Sequence, residues 1–243
     1  MMGLRRPPWW AIAVTAAGML VFVRLGFWQL HRADYKEDLL QRYAAAASAP
    51  VQPFAKVADA PAAAAFPRVA VRGHYLSDRQ YLLDNPNHDQ RGGAEVFVPF
   101  LVHGGSRVLL VDQGFLPEDG SGRVLQTPAL PAGQIELHGL YVPPPPVGFE
   151  MGGNALARQT QWPKSSIYLD LTQVGGDLGR ALYPRVLALD PDPASIYVRV
   201  HTLDFSSMPP ARHRAYAFQW FTFALAALAI LLVVNRDKRA HRP

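Results

Sequence analysis

Apolar positions along this chain gather at its two ends, and the stretch between them alternates. Ala215 to Val234 reads AYAFQWFTFALAALAILLVV, 20 residues without a charge, with polar atoms only on Tyr216, Gln219, Trp220 and Thr222. As a helix it spans about 30 Å, the thickness of a bilayer's hydrocarbon core. Near the start, Trp9 to Val23 reads WWAIAVTAAGMLVFV, and extension through Arg24 to Trp28 brings it to spanning length. Arg24 falls near the end of that stretch, where its guanidinium can snorkel to the interface. Trp9, Trp10, Phe27 and Trp28 fall at the two interfaces, where amphipathic rings accumulate. The pattern therefore predicts two transmembrane helices, 9–28 and 215–234.

Between them the period changes. Leu25 to Ala47 continues as a helix, with Leu25, Trp28, Leu39, Leu40 and Tyr43 spaced along one apolar side. An Ala/Pro-rich connector follows, SAPVQPFAKVADAPAAAAFP. From Phe66 the pattern becomes β. Strands are predicted at 68–75, 80–83, 96–102, 108–115, 135–142 and 195–205, with a hairpin turn at His103-Gly104-Gly105-Ser106. Pro143–Pro146 opens a loop to about Lys164, and 169–181 holds a short helix. Many strands with few helices point to a small antiparallel barrel-like, β-rich α+β domain.

Composition sharpens this picture. The mean hydropathy of +0.00 conceals the two apolar ends, and the net charge is +5. Much of the excess lies beside those ends, at Arg5, Arg6, Arg236, Lys238, Arg239 and Arg242, which favours a membrane over nucleic acid as the partner. Positive-inside counting puts the tails, 1–8 and 235–243, in the cytoplasm and the central domain, 29–212, on the far side. A cleaved signal peptide would need small residues soon after the apolar run. RLGFWQLHRADYKEDLL follows instead, so an uncleaved anchor is expected. There is no cysteine, which excludes disulfides and thiolate chemistry.

Enzyme signatures are absent: no G-x-S-x-G, phosphate loop or dinucleotide fingerprint occurs. The eight histidines are at least 12 residues apart, so no His-x-x-x-His pair exists. Asp84, Asp89 and Asp112 read as solvated turn carboxylates. His213 stands apart, two residues before the second span. On a helix it shares a face with Tyr216, Ala217 and Trp220. Its imidazole with this aromatic stripe is able to ligate the iron of an amphipathic macrocycle, or simply to cap and anchor the helix; spacing alone favours the second.

Several segments match a known family. Leu25-Gly26-Phe27-Trp28-Gln29-Leu30-His31-Arg32, followed by Lys36, resembles the L-G-x-W-Q-L-x-R…K signature of the Surfeit locus protein 1 family. Arg72-Gly73-His74-Tyr75 resembles its R-G-x-Y, and Leu82-Leu83-Asp84-Asn85 with His88 and Arg91-Gly92-Gly93 resembles its D-N loop. Leu110-Val111-Asp112-Gln113-Gly114-Phe115-Leu116-Pro117 resembles V-D-R-G-W-V-P, and His213…Tyr216-Ala217-Phe218-Gln219-Trp220-Phe221 resembles N-N-H-x-x-Y-A-x-Q-W-F. Departures are Gln113 for Arg, Phe115 for Trp, Ala211 and Arg212 for the paired asparagines, and Pro86 in the loop.

The resemblance implies a non-enzymatic assembly factor for a haem-copper terminal oxidase of the cytochrome c oxidase type, in a bacterial inner membrane with a periplasmic domain. It implies transient binding of haem a and transfer to the oxidase's catalytic subunit, with haem a synthase as a further candidate partner. His213 falls where the family's proposed iron ligand stands, and this turns the choice above towards a ligand. Trp220, Tyr216 and Trp28 would pack the porphyrin, and Arg24, Arg32 or Arg214 would pair with its propionates. The alternative is a haem-free scaffold that stabilises an oxidase subunit during assembly.

Overall fold

The structure, a computed structural model, describes residues 6–59, 66–84, 92–119, 127–145, 156–199 and 208–236. They form two compact units: Met1–Gln41 with Leu203–Pro243, and Arg42–Thr202.

The first unit is built on two helices, α1 (Trp9–Ala47) and α3 (Pro210–Val234). Each is long and apolar enough to cross a membrane by length and composition. α1 runs without a break from the apolar stretch into the charged one, because no glycine pair or proline interrupts 9–47. Pro209 precedes α3 and Pro210 opens it, where a missing N–H costs no helical hydrogen bond. The helices run antiparallel: Phe22 meets Trp220 and Phe223, Phe27 meets Phe221, Gln29 meets His213 and Lys36 meets Met208.

The second unit contains eight strands among the described residues: β1 (Gln52–Pro53), β2 (Arg68–Tyr75), β3 (Tyr81–Asp84), β4 (Gly93–Val102), β5 (Val108–Pro117), β6 (Ile135–Val142), β7 (Lys164–Ser166) and β8 (Leu182–Leu189). β2 pairs with β6, β6 with β8, β8 with β5, β5 with β4, and β4 back with β2. That ring is a closed five-stranded barrel, which removes its own edges. It is mixed rather than wholly antiparallel, since β5 and β8 run parallel. β3 and β7 extend the sheet beyond β4, and β1 lies parallel to β2. The short α2 (Leu171–Leu178) starts at Asp170, whose carboxylate accepts from the Thr172 N–H, and ends at Gly179 with φ +64°. Val69, Val98, Phe100, Leu109, Val111 and Leu187 are sealed from solvent in the core.

Two predicted elements need correction. The strand expected over 195–205 is, in its described part, a single bridge from Val198 to Phe115; residues 200–205 lie outside the described set. The missing barrel strand is β8, which carries Pro184. A proline argues against a central strand because it cannot donate to the ladder. Here it falls where the β5–β8 register shifts, before the β6 pairing begins at Val186.

Gly73 closes the barrel. It pairs with Ile135 on one side and Val102 on the other, and a Cβ there would stand 2.1 Å from the Leu101 carbonyl oxygen. Gly114 serves a bulge: the β4–β5 register steps from Val96–Gly114 to Phe97–Asp112, and Gly114 has φ +107°. Its N–H donates to Asp112 Oδ1 at 2.8 Å. Asp112 is therefore not a solvated turn residue. It keeps a little surface, but protein crowds its carboxyl. Burial first, and the neighbouring Glu95 second, push that carboxyl well above its ordinary range.

Two outcomes follow. Gly73→Ala should cost about 1–3 kcal/mol by overpacking, read from denaturant titration of the protein in detergent. Gly176→Ala, where a Cβ meets nothing within 4 Å, should be neutral or stabilising; equal losses at both positions would contradict the closure role of Gly73. Asp112 holds its proton to higher pH folded than unfolded, where the ordinary value is 3.8. The native state then binds more protons above that pH, so Asp112's contribution to stability falls as pH rises through the window. Asp112→Asn should flatten this slope while keeping an acceptor for Gly114. A pH–stability curve with the wild-type slope would refute the assignment.

Candidate functional site

The candidate site lies in the helical unit, along the seam where α1 and α3 pack. Buried positions recur on α1 at Gly26, Gln29, Ala33 and Lys36, after half-buried Phe22. On α3 they recur at His213, Ala217 and Ala224, with Trp220 half-buried between them. Steps of three and four residues are those of antiparallel helices meshed along a narrow stripe.

The seam changes character along its length. Towards the first end of α1 it is aromatic: Phe22 stacks on Trp220 with centroids 5.9 Å apart, Phe223 stands edge-on to both, and Phe27 meets Phe221 edge-on at 5.4 Å. Gly26 lets Phe221 in, since a Cβ would come within 2.7 Å of that ring. Beyond Gly26 the seam turns polar. His213 Nδ1 and Gln29 Oε1 lie 2.6 Å apart, both side chains buried. Lys36, also buried, donates to the Met208 carbonyl at 2.5 Å, just before α3 begins. Arg214 and Glu37 form an ion pair on the half-exposed flank.

The Gln29 oxygen can only accept, so His213 Nδ1 carries the proton and donates it. That leaves Nε2 with a free lone pair. This atom is buried and has no hydrogen-bond partner among the described residues. The indole Nε1–H of Trp220 is likewise buried and unpartnered among them. Seven residues on, it stands about 10.5 Å further along the helix axis. A buried polar atom without a partner costs roughly 1–3 kcal/mol and calls for an explanation.

Of the residues singled out by sequence, His213 and Trp220 sit on the seam. Trp28 is 56% exposed and Tyr216 41% exposed, so both face outward. Arg24 and Arg32 are also exposed, and Arg32 lies over the ring of its own-helix neighbour Tyr35 at 5.3 Å. Of the apolar side expected over Leu25, Trp28, Leu39, Leu40 and Tyr43, Trp28 is exposed, Tyr43 is buried and the other three are half-buried. A helix apolar enough to cross a membrane is apolar all round, so hydrophobicity does not mark its buried face. Gln29 received no role from sequence, although it sits inside the Leu25–Arg32 motif. The signal was its three- and four-residue spacing from Gly26 and Ala33.

In the second unit, the described parts of the other matched segments meet on the barrel. Gln113 Nε2 donates to the Tyr75 hydroxyl at 2.9 Å, joining the Arg72–Tyr75 and Leu110–Pro117 segments. Arg199 Nε donates to the Gln113 carbonyl at 2.8 Å. Asn85 to Arg91 lie outside the described residues. Among the described residues no three His, Asp or Glu side chains gather as a metal site.

No curated protein matches the chain. A family model, the SURF1 family, matches residues 16–225. That match takes in the described barrel and the packed stretch of both helices. The SURF1 family is known for cytochrome oxidase assembly, and its members are assembly factors rather than catalysts. With the match spanning most of its length, this chain belongs to the SURF1 family.

Proposed function

We propose that this chain is a membrane-anchored assembly factor for a cytochrome c oxidase-type haem-copper oxidase, and that it holds haem a transiently through His213 before the haem reaches the catalytic subunit. Family membership supports the assembly role. The observation that carries the haem reading is the buried His213 Nε2, a lone pair left without a partner among the described residues. A neutral imidazole nitrogen is the commonest protein ligand for haem iron. As cargo, the haem would bring an iron with an open axial position and an amphipathic ring.

The rest of the seam fits such cargo. Trp220 offers an aromatic face together with an indole N–H in need of an acceptor. Nε2 is covered by its surroundings, so loading requires the polar half of the seam to open. Opening there gives up the Lys36–Met208 bond, worth about 1.5–3 kcal/mol, while the Gln29–His213 bond and the stacked rings hold. Arg24 and Arg32 lie outside the seam and are free of it to meet propionates at the surface. Trp28 and Tyr216 would join only from the outer faces.

Membrane insertion is part of the same proposal. Leu20, Phe218, Leu225, Ile230 and Val234 are each more than 60% exposed, an apolar outer surface suited to lipid. With both termini cytoplasmic, the barrel domain is periplasmic and His213 lies at the outer interface. The covered Nε2 also favours a second reading, a haem-free scaffold whose closed helix pair grips an oxidase subunit.

Protein purified in detergent from cells that make haem a should carry haem absorbance, and His213→Ala should reduce it at least about tenfold. Absence of haem, or unchanged absorbance in the variant, would leave the scaffold reading in place. Alkaline phosphatase fused within the barrel domain should be active and fused after Arg236 inactive; the reverse pattern would overturn the orientation.

A further inference from the structure

The geometry points to Gln29 as a positioning residue that fixes the tautomer and ring orientation of His213 and so makes Nε2 a ligand. This inference rests on reading His213 as the iron ligand and goes beyond it, since it assigns the α1 motif a chemical task.

Three observations carry it. Gln29 is 8% exposed and His213 4%, and their side chains meet at 2.6 Å across the two helices, 184 positions apart in sequence. Both members of this contact are polar in a stretch where the neighbouring seam positions are Gly26, Ala33 and Ala217. The far ring nitrogen is buried and without a partner among the described residues.

A histidine that binds metal through one nitrogen typically donates its other N–H to a carbonyl or carboxylate. That bond selects the tautomer, stops ring rotation and raises the basicity of the ligating atom. An amide carbonyl meets this need without bringing a second charge into an apolar seam. The opposite amide orientation would aim N–H groups at Nδ1 and force the imidazole proton onto Nε2. A buried donor would then stand without an acceptor, which is the rarer and costlier arrangement. Serving only to hold two helices together would explain the hydrogen bond. It would not explain why the imidazole's other nitrogen stays unpaired.

The test uses the full chain in detergent, titrated with haem a, and reads two quantities: affinity from absorbance, and the iron–histidine stretching frequency of the reduced complex by resonance Raman. Gln29→Leu keeps the bulk and removes the acceptor. It should weaken binding about 10–100-fold and lower the stretching frequency. Gln29→Glu keeps an acceptor oxygen and strengthens it. It should bind within about threefold of wild type and raise the frequency. Wild-type affinity with an unshifted frequency in Gln29→Leu would overturn the positioning role. If Gln29→Leu does not fold, as judged by its thermal melt, the frequency in Gln29→Glu decides, and no upward shift there overturns the role. His213→Ala run alongside separates the two claims. Full binding by that variant removes the ligand reading and with it the role of Gln29. Loss in His213→Ala with no effect in Gln29→Leu removes the positioning role alone.

Discussion

Two polar side chains meeting inside an otherwise small-residue and aromatic helix seam set the terms for the helical unit. In apolar surroundings a helix pair gains little from burying more apolar surface, so packing and hydrogen bonds decide how the helices align. Stacked rings alone tolerate a slide of one heptad, since one aromatic layer resembles the next. A buried glutamine and a buried histidine do not, because a slip would strand both in a place without partners. Gln29–His213 therefore ties the register, and Lys36 on the Met208 carbonyl ties it again two steps further. The place where Nε2 ends up follows from that register.

The matched segments divide by the reason each residue is needed. Gly73 sits where β2 passes from one barrel neighbour to the other, and Gly114 sits at a bulge with positive φ. These positions answer to backbone geometry. Asp112 caps that same bulge, and Gln113 reaches across to Tyr75. Gln113, where the related motif has arginine, makes this link as a neutral donor to a hydroxyl. The helix segments are of another kind. Gly26 admits a ring, but Gln29 and His213 answer to no backbone demand; each is the other's hydrogen-bond partner across the seam.

Much of the architecture was legible in the chain. Twenty charge-free residues dictate a long helix, alternation at 68–75 dictates a half-buried strand, and the apolar run that opens 108–115 after the His103–Ser106 turn dictates a hairpin strand. β8 escaped because Pro184 breaks the pattern and because a strand buried among barrel neighbours loses the polar alternation that would reveal it. β7 has only three residues and is held from outside its own sequence, by pairing with β3 and by Lys164 on Asp177 at 2.5 Å. His213 was legible through its position before an apolar run. Its partner was not, because facing residues on two antiparallel helices are set by a register that no local pattern states. The outward turn of Trp28 was hidden for a related reason: in a helix apolar all round, the apolar side and the packed side need not coincide.

If His213 holds haem as proposed, its being covered at rest has a thermodynamic consequence. Affinity measured from outside is the intrinsic affinity reduced by the fraction of molecules with the seam open. A carrier benefits from this reduction, since tight holding would defeat delivery. The division of the seam keeps the reduction modest and confined. Phe22, Trp220 and Phe223 mesh in the aromatic half, while the stretch around Ala33 and Ala217 presents little apolar area to separate. On the proposed reading, an opening that leaves the Gln29–His213 bond intact would expose one imidazole nitrogen whose tautomer that bond has already set. Strengthening the packing beside His213, for instance by larger side chains at Ala33 and Ala217, would thus act against loading without touching the ligand. On that reading, holding and releasing would be two settings of a single seam, balanced in its polar half.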